Sequence, residues 1–155
     1  NLIISILYYT GIRKSELLSL NWNDINLGKN ILTVKSGKGK KDRIIPLHKN
    51  VTEFLDKYLT LRLPLKCNAL FIGENGKRLC KCSFNNILKT YLKIAGLANK
   101  GYSAHSFRHS FATQLIENGV DIFKVQKLLG HASLDATKVY INFHNTNLIK
   151  AISTL

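Results

Sequence analysis

Two short β-type runs, "NILTVKS" (30–36) and "DRIIPL" (42–47), are joined by the glycine-bearing "GKGKK" and flanked on both sides by runs of helical spacing. This arrangement constrains the fold more than any other feature. The pair predicts a hairpin, because β-branched and apolar runs separated by a short glycine-containing segment favour a tight antiparallel turn. The flanking segments predict helices. Before the hairpin, "NLIISILYY" is helical, "TG" interrupts it, and "RKSELLSLNW" resumes a helix whose Leu17, Leu18 and Leu20 face a core, with Arg13 at its start. After it, "VTEFLDKYLTLRL" has helical spacing at Val51, Phe54, Leu55, Tyr58 and Leu59 and is ended by Pro64. "ALFIG" reads as a strand, "ENGK" as a turn, and "SFNNILKTYLKIAG" as a helix stopped by Gly96.

The last third is read as four helices. "AHSFRHSFATQLIENG" (104–119) repeats Phe107, Phe111 and Leu115 every four residues as a buried stripe. "DIFKVQKLLG" has Asp121 as N-cap and Gly130 at its C-terminal end. "SLDATKVYINF" and "NTNLIKAISTL" follow, the first with Ser133 as a possible cap. The expected fold class is therefore α+β, mostly helical, with a small antiparallel sheet packed on a helical bundle. With 155 residues, 45% of them hydrophobic, and no repeat or linker, one domain spanning 1–155 is expected. The chain lacks methionine and opens directly in a helical pattern, which suggests a piece of a longer protein.

Charge narrows the partner. Twenty-three Lys and Arg stand against nine Asp and Glu, a net charge of +14, and a polyanion is the natural complement. The longest apolar runs fall short of the ~20 residues of a membrane span, and no targeting segment is visible. Cys67, Cys80 and Cys82 are odd in number and lack metal-ligand spacing, so neither a disulfide framework nor a zinc site is expected, and a reducing cytoplasm fits.

Several residues could carry chemistry. On the 104–119 helix, His105 and Arg108 are three apart and read as one polar face opposite Phe107 and Phe111, with His109 left to the surface. Arg13 follows a Thr-Gly break at a helix start, a setting suited to a phosphate oxygen, with Glu16 as its i,i+3 ion-pair partner. Lys38 lies at the hairpin tip, His131 in the loop "LGHAS", and Tyr140 on a following helix. Singly, each is an ordinary surface or core residue. Together, two arginines, a lysine, two histidines and a tyrosine describe a metal-free site for phosphodiester transfer. Cations neutralise charge on the phosphorus oxygens, and a tyrosine hydroxyl with pKa near ~10 becomes nucleophilic once a neighbour takes its proton. No acidic cluster that would hold two magnesium ions stands out among nine scattered carboxylates.

Four segments in order, "TGIRKSELLSL", "SGKGKKDRIIPL", "HSFRHSFATQL" and "LLGHASLDATKVY", give the chain a resemblance to the catalytic domain of the tyrosine recombinases, the phage integrases and Xer-type resolvases. The resemblance implies that Arg13 and Arg108 clamp the scissile phosphate and that Lys38, with Lys40 as the alternative, protonates the leaving 5′ oxygen. It implies His105 as proton acceptor or phosphate contact, His131 as a further phosphate hydrogen bond, and Tyr140 as the nucleophile that forms a 3′-phosphotyrosyl link without metal, ATP or any cofactor. Double-stranded DNA is the implied partner. The tail helix would couple protomers into a homo-tetramer on paired sites, accessory DNA-bending or directionality proteins could act on it, and an amino-terminal core-binding domain would lie outside this chain. A type IB topoisomerase-like relaxer and an inactive DNA-binding module are the competing readings.

Overall fold

The structure, a computed structural model, describes residues 2–35 and 42–130. Helix α1 (Leu2–Thr10) buries Leu2, Ile3, Ile6, Leu7 and Thr10, with the Thr10 hydroxyl donating to the carbonyl of Ile6. It stops at Gly11, whose φ of +59° suits a residue without a side chain; a Cβ there would also collide with the Phe111 ring. Arg13 is the N-cap of α2 (Lys14–Ser19), and Leu17, Leu18 and Leu20 point inward as their spacing requires. A single 3-10 turn (Trp22–Asp24) replaces the last part of the expected helix and leads into a three-stranded antiparallel sheet.

That sheet runs β1 (Ile25–Asn26), β2 (Ile31–Val34), β3 (Arg43–Pro46), in sequential order. The β2–β3 register pairs Leu32 with Ile45 and Val34 with Arg43, so the hairpin stems are present as read. β1 has no counterpart in the sequence reading, since two residues are too few for a periodic signal. Conversely, "ALFIG" forms no strand of this sheet. It bends at Leu70 and Phe71 and is tied by isolated bridges at Ala69 and Ile72 and by the Leu70 N–H donating to the Leu20 carbonyl at 2.9 Å. Ala69, Leu70 and Phe71 are all buried, so the run was apolar because of its depth in the core.

Helix α3 (Lys49–Arg62) buries Val51 and Leu55 against α1, with Tyr58 and Leu59 packed beside them, whereas Phe54 is exposed. Helix α4 (Lys81–Ile94) buries Phe84 and Leu88. These elements make one core, to which Ala104 at the start of α5 (Ala104–Glu117) also belongs. A second, smaller cluster of Phe111, Ala112, Ile116, Val125 and Leu129 joins α5 to α6 (Ile122–Leu129). Asp121 caps α6 by accepting from the N–H groups of Phe123 and Lys124, and Gly130 closes it with φ +65°. Among the described residues, no helix is long and apolar enough to cross a membrane.

A candidate phosphate site at the end of helix α6

An eight-residue helix ends with several carbonyls that have no partner inside it and carry the negative end of its dipole. Three arginines from three other elements meet those carbonyls. Arg43, at the start of β3, donates through Nε to the Leu128 oxygen at 2.8 Å. Arg108, on α5, donates to the Leu129 oxygen at 2.8 Å, and Arg13, before α2, to the Gly130 oxygen at 3.3 Å. Arg108 also donates to the Gly11 carbonyl at 2.8 Å, two residues before Arg13, which ties the Thr-Gly break to the same junction.

Glu16 completes the arrangement. Its carboxylate accepts from the Arg13 guanidinium at 3.0 Å and the Arg13 N–H at 2.7 Å, and from both terminal nitrogens of Arg43 at 2.9 and 2.8 Å. Burial alone would raise the Glu16 carboxyl, but the hydrogen bonds and charge of Arg43 together with the Arg13 bonds outweigh it and hold the pKa at about 2. The side chains of Arg43 and Glu16 are 8% and 14% exposed, whereas that of Arg13 is 41% exposed. One carboxylate thus serves two guanidiniums, and the solvent-facing one is Arg13.

The expected Arg13–Glu16 ion pair is present, but it is half of a shared carboxylate. Arg108 departs from the sequence reading. It is 3% exposed and faces inward with Ala104, Phe111 and Ala112, while the intended stripe residues Phe107 and Leu115 are only half-buried. His105 is exposed, one helical turn before Arg108, in a first turn capped by Ser103. His109 is half-buried, with its ring edge-on to that of His105 at 5.3 Å between centroids. Arg13 and Arg108 therefore converge, and His105 stands at the head of the helix that carries Arg108. Lys38, its alternative Lys40, His131 and Tyr140 lie outside the described residues.

Arg43 is the residue that sequence reasoning missed. Strand alternation puts it on the same face as Ile45, which is 1% exposed, and opposite Ile44, which is 59% exposed. An arginine on a core-facing strand position needs partners, but with Ile44 and Ile45 both apolar the sequence does not show which face Arg43 lies on. The three cysteines are free thiols, and no metal-holding group of three or more His, Cys, Asp or Glu occurs among the described residues.

A mostly helical domain with a small antiparallel sheet, and with Arg13 and Arg108 brought to one helix end, has the catalytic-domain fold of the tyrosine recombinases. The same fold occurs in the crystal structure of the XerA recombinase, with a TM-score of 0.86 and 35% identity over 99% of this chain and 56% of that one. A XerH site-specific recombinase bound to its difH substrate in a pre-cleavage complex gives 0.79 and 34%, over 96% of this chain and 44% of that one. In sequence, the tyrosine recombinase XerD of Oceanobacillus iheyensis is 39% identical over 152 residues, which is 94% of this chain and 50% of that protein. The sequence profile of the phage integrase family matches residues 1–146, and the chain belongs to that family. It spans about half the length of the curated relatives it matches.

Proposed function

We propose that the chain supplies the catalytic part of a site-specific recombinase that cuts and rejoins DNA strands through a 3′-phosphotyrosyl intermediate. The observation that carries this reading is the convergence of Arg13 and Arg108 on the Leu129–Gly130 end of α6, with Arg13 open to solvent and its carboxylate shared with Arg43. A phosphate oxygen is the ligand that suits such a guanidinium, because the planar fork offers two donors to one acceptor group. As negative charge builds on the phosphorus oxygens during transfer, fixed cations at that point lower the barrier more than they strengthen ground-state binding.

In this reading Tyr140 attacks the phosphorus, its hydroxyl proton passes to His105 or to solvent, His131 donates to a phosphate oxygen, and Lys38 protonates the departing 5′ oxygen. The phosphodiester is exchanged for a phosphotyrosyl ester, and a second 5′ hydroxyl reverses the exchange. The bond energy is retained, so neither ATP nor a metal ion enters the balance. Duplex DNA is the substrate class, in keeping with the +14 charge. Residues 146–155 couple protomers into a tetramer on paired sites, with the remainder of a longer protein closing around the duplex.

Covalent trapping tests the reading. Incubated without metal with nicked duplexes, the protein is expected to form a detergent-resistant DNA adduct that Tyr140→Phe does not form. An adduct of equal yield in Tyr140→Phe would remove Tyr140 from the nucleophile role. No adduct, with the full-length protein as well, would contradict strand transfer.

A further inference from the structure

We infer that Arg43 is a positioning residue of this site: from β3 it holds both the Leu128 carbonyl at the end of α6 and the Glu16 carboxylate beside Arg13, fixing the two elements relative to each other. This rests on the strand-transfer reading, and it concerns a residue that none of the four sequence segments singles out for chemistry.

Three observations support it. First, α6 has few apolar anchors. Of its eight residues only Val125 and Leu129 are buried, so the direction in which the chain leaves the helix depends on what its terminal carbonyls are tied to. Arg43 ties the first of the three, and it does so from the hairpin whose other strand lies next to it in register through Val34. The residue after Gly130 is His131, and the segment between Val34 and Arg43 contains Lys38, so Arg43 is bonded where both chain segments leave the described structure.

Second, the contact is close enough to exclude a side chain at the neighbouring position. A Cβ on Gly130 would lie 2.9 Å from an Arg43 terminal nitrogen and 3.1 Å from its Cδ, in addition to the strain of φ +65°. Third, Arg43 changes the electrostatics of Arg13. By donating one hydrogen bond to each carboxylate oxygen, its fork prevents Glu16 from serving Arg13 alone. Without it, Glu16 could turn fully onto Arg13 and neutralise the solvent-facing guanidinium that is read as the phosphate contact.

Lysine cannot replace it. Arg43→Lys keeps the charge but loses the Nε bond to Leu128 and the two-pronged hold on Glu16. Three quantities would be compared with the wild type on the same nicked duplex: equilibrium DNA binding, single-turnover adduct formation, and amide hydrogen exchange over residues 125–130. The expected result is binding within about 3-fold, adduct formation slowed by about 10- to 100-fold, and faster exchange at the end of α6. Gly130→Ala, which leaves every charge in place, should show the same split, and the double variant should be far less impaired than the product of the two single effects. If Arg43→Lys fails to fold, Gly130→Ala decides by the same criteria.

An unchanged adduct rate in a folded variant overturns the inference and leaves the strand-transfer reading standing. Equal losses of binding and rate also overturn it, since they would make Arg43 a general support of the fold. If the wild type forms no adduct, the functional reading fails instead. Exchange then decides the structural half alone: unchanged protection of residues 125–130 in Arg43→Lys would overturn the hold on α6 as well.

Discussion

The core around Leu7, Leu17 and Leu55 and the junction at the end of α6 are held by different forces. In the core, α1, α2, the sheet, α3 and α4 meet through fully buried aliphatic and aromatic side chains whose contribution scales with the area removed from water. At the junction, α5 and α6 share only five buried residues, and three guanidiniums and a carboxylate take over the work of fixing geometry. Apolar packing is tolerant of direction, whereas charge-assisted hydrogen bonds specify it. A site that must place cations around one phosphate benefits from the second kind of support, and the tolerant kind suffices elsewhere.

This contrast can be broken at either end. The largest effect on stability is expected in the core: Leu55→Ala should cost about 2–5 kcal/mol in urea unfolding, while adduct formation per folded molecule stays near the wild-type rate. A specific loss of adduct formation in that variant would mean that the two regions are not separable. Next comes Glu16, whose folded-state pKa of about 2 lies below its ordinary value near 4.5. A depressed carboxyl stabilises the protein above the unfolded pKa and loses that contribution as pH falls through the folded one. Thermal stability should therefore drop between about pH 4.5 and 2, by on the order of 3 kcal/mol from this group, and Glu16→Gln should flatten that part of the profile while being less stable at neutral pH. An unaltered profile would show that the carboxylate is not held as described. The smallest effect is expected at the far end of α6, where Asp121→Ala should cost about 1 kcal/mol through loss of the N-cap and leave DNA binding unchanged.

The same contrast explains what the sequence disclosed. Helices α1, α3, α4 and α6 were legible because their apolar periodicity, the breakers Gly11, Pro64, Gly96 and Gly130 and the Asp121 N-cap of α6 are local signals, and the hairpin because both stems are β-rich around glycine. "ALFIG" was misread because a short apolar run has the same composition whether it pairs in a sheet or simply lies deep. Arg108 was read as part of a polar face opposite Phe107 and Phe111, not as a buried residue, because its partners, Gly11 and Leu129, are backbone carbonyls 97 and 21 residues away, and no side-chain pattern encodes them. Arg43 was overlooked because Ile44 and Ile45 are both apolar, which hides the alternation that would have turned it inward. Arg13 and Glu16 were visible, since their contact is three residues long.

The most direct test of the central claim, that Arg13 meets a phosphate in the transition state, is Arg13→Lys, with DNA binding and single-turnover adduct formation measured on one preparation. Lysine keeps the charge at a position 41% open to solvent and removes the second prong. Binding should stay within about 3-fold of the wild type while adduct formation falls by about 100-fold or more, equivalent to at least ~2.7 kcal/mol of transition-state stabilisation. An adduct rate equal to the wild type, or a loss no larger than that in binding, would contradict the claim and leave Arg13 as one docking cation among many.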